Sequence, residues 1–211
     1  MDFLELKSGS SVEGTEIKAY CSGKKSKTYT YLMAGVHGDE VEGVYVVKSL
    51  FTWLQENEDI DENLALIVIP ILNVDGYRAG TRINANGVDL NRNFPSQYWT
   101  PQARASKYNP GKAPLSEPEN QFLVKLFEKY PPKLNLTIHS WKPMLNINGT
   151  DCEKYANFIT QYNNYPVVPD IEGHPTPGSL GEYGPEKYEA QVLTYELPVI
   201  SEENSLKQIW E

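Results

Sequence analysis

Apolar residues in this chain fall into two kinds of pattern. Tyr29–Val36, Leu64–Leu72, Leu134–Ile138 and Val192–Leu197 are apolar almost throughout and of strand length, as expected of strands covered on both faces. Ile17–Cys21 alternates and predicts an edge strand, and Met144–Ile147 gives a shorter strand signal. Between them the period lengthens. Val44, Val47, Phe51 and Leu54 recur at helical spacing within Val41–Gln55, and Asp39 and Glu40 stand at the positive end of that helix. Ser116 with Glu119 predicts a capping box opening a helix Glu117–Tyr130, which Pro131 and Pro132 end. Asp151 is expected to cap a helix running through Asn163, and Ser201 a short C-terminal one. Strands alternating with helices imply an α/β fold: a mixed, mostly parallel sheet with helices on both faces. Ile83–Pro114 is irregular, rich in Asn and Pro, and long for a plain connection, which points to a functional loop.

Length and composition narrow this picture. The 211 residues contain no repeat and no compositional break, so one domain over 1–211 is expected. At 40% hydrophobic and 22% charged, the chain is neither fibrous nor disordered. Its longest apolar stretch is broken by Pro70 and too short to span a membrane. No basic region followed by an apolar run opens the chain, so a cytoplasmic location is expected, or a periplasmic or secreted one if the N-terminus is trimmed. A net charge of −9 argues against nucleic acid and against an anionic membrane surface as partners. Cys21 and Cys152 are too few and too far apart for a disulfide framework, and two buried free thiols are expected. Of the 19 basic residues only four are Arg, and Arg78, Arg82 and Arg92 fall close together, which suggests an anion site in that segment.

In a sheet of this kind ligands bind outside the carboxyl ends of the strands. Four predicted strands deliver polar residues to that edge. His37-Gly38-Asp39-Glu40 follows the first, Asn73-Val74-Asp75-Gly76 the second and His139 the third, while Glu196 lies near the end of the fourth. Each alone has a bland reading: a solvated surface pair, a turn, a hydrogen-bonded core histidine. Together they place two imidazoles and a carboxylate at one edge, a set that binds zinc and leaves a position open for water. Glu196, acidic in an apolar strand, is costly to bury without a role and would suit a base acting on that water.

These residues resemble the zinc carboxypeptidase superfamily over about residues 29 to 200. His37-x-x-Glu40, Asn73-x-Asp75-Gly76, Asn91-Arg92-Asn93, His139-Ser140 and Tyr195-Glu196-Leu197 occur in family order. Asn84-x-Asn86-Gly87-Val88-Asp89-Leu90-Asn91-Arg92-Asn93-Phe94-Pro95, Ser116-Glu117-Pro118-Glu119 and Thr176-Pro177-Gly178-Ser179 are most similar to the murein peptide amidase branch. The resemblance implies one zinc ion per chain held by His37, Glu40 and His139, an oxyanion held by Arg82, and Glu196 as general base. It further implies that Asn91 and Arg92 grip the terminal carboxylate of a short peptide, with Ser140 beside them. The family's lid tyrosine is absent and His174 stands in that segment, where it is expected to take over the lid's work. By the same analogy the Ser140–Trp141 peptide is expected to be cis. The activity implied is hydrolysis of the γ-D-glutamyl–diaminopimelate bond. The alternatives are an ordinary carboxypeptidase or deglutamylase, a desuccinylase-type deacylase, or a peptide-binding module with an inert metal site.

Overall fold

The computed structural model describes residues 1–57, 60, 64–201 and 205–210. In chain order the strands are β1 (Phe3–Glu5), β2 (Gly9–Ser10), β3 (Glu16–Ile17), β4 (Tyr20–Ser22), β5 (Tyr29–Ala34), β6 (Leu66–Ile69), β7 (Pro132–Trp141), β8 (Met144–Asn148), β9 (Val167–Val168) and β10 (Gln191–Pro198). The helices are α1 (Val41–Glu56), α2 (Val74–Ala79), α3 (Pro118–Lys129), α4 (Glu153–Asn163), α5 (Leu180–Tyr188) and α6 (Leu206–Trp210). Eight strands form one sheet in the order β1-β4-β6-β5-β7-β10-β8-β9, and β2 and β3 form a separate ribbon. The four central strands, β6, β5, β7 and β10, run parallel, whereas β1, β4 and β8 pair antiparallel. The mixed, mostly parallel α/β sheet read from the pattern is the one observed.

Why the central strands carry such unbroken apolar runs is visible in β5. Leu32 and Ala34 pack with Val44, Val47 and Leu54 of α1 on one face. Tyr31 and Met33 pack with Leu123 and Phe127 of α3 and Leu180 and Tyr183 of α5 on the other. Cys152 and Ala156, at the start of α4, cover Leu145 and Leu193. Both thiols are free and buried, as expected. Among the described residues no helix is long and apolar enough to cross a membrane.

Several local expectations need correction. Ile17–Cys21 splits between β3 and β4, and β4 lies inside the sheet, because β1 pairs outside it. Helix α3 starts at Pro118 with no side-chain cap: Ser116 Oγ donates instead to Glu117 Oε1 (2.6 Å) and accepts from Asn93 Nδ2 (3.1 Å). Proline at the first helical position costs nothing there, since its missing N–H would have no partner in the helix. Asp151 does not cap α4, which follows Cys152 without a side-chain cap; its carboxylate lies 3.6 Å from Lys154 Nζ. The C-terminal helix is capped by Ser205 rather than Ser201, through a bond from Gln208 N to Ser205 Oγ (3.3 Å) and one from Ser205 N to Gln208 Oε1 (2.8 Å). Among the described residues no peptide bond is cis, so Ser140–Trp141 is trans.

Candidate metal centre and active site

The carboxyl ends of β5, β7 and β10 meet at one point because their registers align: Ala34 lies beside Ile138, and His139 beside Glu196. Strand β5 runs into His37, and the chain turns at once into α1, so Glu40 sits at that helix's positive end. Close packing brings this turn to β7. A Cβ on Gly43 would stand 2.5 Å from the Ile138 carbonyl oxygen, and one on Gly38 2.1 Å from the Gly76 carbonyl carbon. Both contacts are with backbone, so neither position has room for a side chain.

As a result Glu40 bridges two histidines. Its Oε1 lies 2.7 Å from His37 Nδ1 and its Oε2 2.7 Å from His139 Nδ1, while the two Nδ1 atoms are 3.2 Å apart. His37, Glu40 and His139 offer ligand atoms within 4.8 Å of one another. This donor set fits zinc, which takes imidazole nitrogen and carboxylate oxygen and needs only three protein ligands where a water or substrate completes the sphere. The other ring nitrogen of His37, Nε2, lies 3.1 Å from Asp89 Oδ1, which leaves Nδ1 for a metal. Burial disfavours a charged His37, but the Glu40 and Asp89 carboxylates outweigh it and push the imidazole up to about 9. Burial also works against ionised Glu40 and Asp89, yet His37 beside both, with His139 beside Glu40 and Arg82 beside Asp89, holds them well below the carboxylate range.

Glu196 is the unpaired member. Its Oε2 is buried without a hydrogen-bond partner, and burial pushes its carboxyl up. A buried carboxylate oxygen with nothing to accept from is costly, and such an orphan in a titratable pocket marks a functional group. Beneath His139 a small cavity lies between the sheet and α3 and α5, lined by Asn91, Thr137, His139, Thr194, Leu180 and Gly181 among others.

The arginine census is redistributed by the fold. Arg78 leaves the group and donates to Thr15 Oγ1 (2.7 Å). Arg82 donates through Nε and Nη2 to Asp89 Oδ2 (3.0 and 2.9 Å), and its Nη1 lies 3.5 Å from Glu40 Oε1. Arg92 is buried and its Nη1 donates to the Asn91 carbonyl (2.6 Å). Asn91 Oδ1 accepts from Leu180 N (3.0 Å), so the polar group it has left is its amide donor. Arg104, in the long loop, joins Arg82 and Arg92 around the ring of Tyr108.

His174 and Ser140 each have partners within the chain. His174 Nδ1 lies 3.2 Å from Arg104 Nη2 and its ring packs on Trp141 at 4.9 Å, so it is engaged with the rim rather than with the histidine–glutamate cluster. Ser140 Oγ donates to buried Glu42 (2.6 Å) and Ser140 N to Glu40 Oε2 (3.4 Å), which ties the bridging carboxylate to β7. Asn73 caps α2 by accepting from Gly76 N (2.9 Å) and donates to the Arg82 carbonyl (3.1 Å). Sequence reasoning gave no role to Asp89, Glu42, Arg104 or Tyr108. Only Asp89 had a usable signal, an acid between Val88 and Leu90 in an otherwise apolar pair of positions.

Comparison with known proteins agrees with this geometry. The chain matches the zinc carboxypeptidase family over residues 2–188, a span that holds His37, Glu40, Arg82, Asn91, Arg92 and His139 and stops short of Glu196. Murein peptide amidase A of Vibrio campbellii is 31% identical over 211 residues, covering 95% of this chain and 82% of that protein. Murein peptide amidase A of Escherichia coli K12 is 28% identical over 208 residues, covering 93% and 82%. The crystal structure of murein-tripeptide amidase MpaA from Escherichia coli O157 superposes with a TM-score of 0.75 at 27% identity, over 96% of this chain and 88% of that one. Carboxypeptidase A from Helicoverpa armigera gives a TM-score of 0.81 at 21% identity over 97% of this chain and 61% of that one, a likeness of fold. A family match over most of the chain, on a sheet that gathers two histidines and a glutamate at its carboxyl edge, means that the chain belongs to the zinc carboxypeptidase family and is a hydrolytic metallopeptidase.

Proposed function

We propose that this enzyme releases the C-terminal residue of short murein peptides, cutting the γ-D-glutamyl–diaminopimelate bond, with one zinc ion on His37, Glu40 and His139. The observation that carries the chemistry is the bridging carboxylate of Glu40 between two imidazoles, with the unpartnered carboxylate of Glu196 on the neighbouring strand. The names of the relatives, murein peptide amidases, support the substrate class. Zinc, when bound, supplies Lewis acidity toward water and the scissile carbonyl. Glu196 accepts a proton from the attacking water and returns it to the leaving amine nitrogen as the C–N bond breaks. Its raised affinity for protons suits it to both halves of that transfer.

Arg82 supplies positive charge for the oxyanion. Two of its donors are spent on Asp89, which fixes the guanidinium plane and points Nη1 toward Glu40 Oε1 at 3.5 Å, beside the histidine–glutamate cluster. Arg92 and the amide of Asn91 are donors without a carboxylate partner among the described residues, the correct complement to a free C-terminal carboxylate. A binding module with an inert metal site would have no use for a half-buried Glu196 whose Oε2 is buried and unpartnered. The test is His139→Ala. It should lose stoichiometric zinc and hydrolysis of a murein tripeptide together, and full zinc content after that change would refute the ligand set.

A further inference from the structure

Two of the three guanidinium groups around Tyr108 lack a counterion. Arg82 is neutralised by Asp89, but among the described residues neither Arg92 nor Arg104 has a carboxylate within ion-pair distance. Arg104 is exposed, and three contacts orient it. Its guanidinium carbon lies 4.3 Å from the Tyr108 ring centre, its Nη1 donates to the Gly173 carbonyl (2.9 Å) and its Nη2 meets His174 Nδ1 (3.2 Å). Lys107 adds a fourth cation, 5.1 Å from the same ring centre. A chain of net charge −9 thus draws three of its four arginines to one tyrosine and, among the described residues, leaves two without an ion-pair partner. One terminal carboxylate would satisfy Arg92 and leave Arg104 over.

We infer that Arg104 is a second anion subsite, which binds a further carboxylate carried by the substrate beside its C-terminal one. Held by a carbonyl, an imidazole nitrogen and an aromatic face, and by no carboxylate among the described residues, Arg104 keeps its positive charge for a ligand. His174 then acts as a positioning residue: it fixes Arg104, braced in turn by Trp141, instead of touching substrate itself. The inference rests on the reading of the site as a murein-peptide hydrolase, and two groups of such a substrate could supply the anion. One is the α-carboxylate of the γ-linked glutamyl residue, and the other is the distal carboxylate of the diaminopimelyl residue.

The experiment measures binding, so that it does not depend on turnover. Four peptides are titrated calorimetrically into zinc-loaded Glu196→Gln protein, combining γ-D-glutamyl or γ-aminobutyryl before the scissile bond with diaminopimelyl or lysyl after it. The same titrations are made with Arg104→Gln added, a change that keeps a polar side chain and removes the charge; equal melting temperatures establish that both proteins are folded. Removing one of the two carboxylates should weaken binding about tenfold to hundredfold, the scale of a hydrogen bond to a charged group. Arg104→Gln should abolish that difference for this carboxylate alone, and the affected position identifies its source. If both proteins discriminate equally, if neither does, or if all four peptides weaken alike, Arg104 only fastens two loops and the subsite is refuted. Failure of wild-type enzyme to cleave any of the four would count against the murein reading and leave the binding result standing.

Discussion

Glu40 cannot hold both imidazoles unless each presents Nδ1, and for His37 that orientation is imposed by Asp89 on Nε2. Asp89→Asn should therefore lower zinc affinity by about 10–100-fold, the usual cost of losing a partner that orients a ligand. Competition against a zinc-binding dye measures this, and unchanged affinity would show that His37 needs no such support. Glu196 tests the opposite case, a carboxylate with no partner. Glu196→Gln should keep zinc and lose about 10²–10⁴ in kcat, the range of general acid–base catalysis. Without zinc its effect on stability should have the other sign. Burial raises the folded-state pKa of Glu196, so its favourable contribution is complete below the unfolded value and is lost as pH rises through the folded one. Zinc-free Glu196→Gln should accordingly melt above zinc-free wild type at neutral pH, and the gap should close toward about pH 4. A gap that widens on acidification would contradict the assignment. That His37, Glu40, His139 and Glu196 gather at one edge of the sheet was legible in the sequence because strand ends of a parallel sheet converge. Asp89, Arg104 and Tyr108 were not, since each acquires meaning from a partner across a loop with no periodicity to betray it.

Elements were more legible than their ends. Apolar runs located the four central strands, since burial on both faces removes the polar positions that would otherwise interrupt them. Caps were the weak point. Ser116 has the correct spacing for a capping box, but its hydroxyl is drawn to Asn93 and Glu117, within a network where Asn84 also donates to Glu117 (2.8 Å) and Glu119 (3.1 Å). Tertiary hydrogen bonds outbid the local motif there. The contact of α1 with β7 shows what an element contributes to the site, since Gly43 lets the helix approach until its start carries Glu40 to His139. Gly43→Ala should cost about 1–3 kcal/mol, typical of overpacking, and should weaken zinc binding in parallel. Thermal melts with and without zinc check this; a destabilised protein with unaltered zinc affinity would separate helix seating from the metal centre.

At the scale of the molecule, the sheet order makes the active site a property of topology. Parallel β6, β5, β7 and β10 all point their carboxyl ends the same way, and the irregular loop between α2 and α3 folds over that edge with Asp89, Arg92 and Arg104. In a chain of net charge −9, three of the four arginines gathered at one edge make that edge the favoured place for a carboxylate. The most direct test of the account is mass analysis of a murein tripeptide after incubation with protein carrying one zinc per chain. Free diaminopimelate and the intact residual dipeptide should appear with zinc-loaded wild type, and should fail to appear when zinc is removed or Glu196 is replaced by Gln. An uncut peptide in the presence of fully loaded wild-type enzyme, or cleavage that persists in the zinc-loaded Glu196→Gln variant, would contradict it.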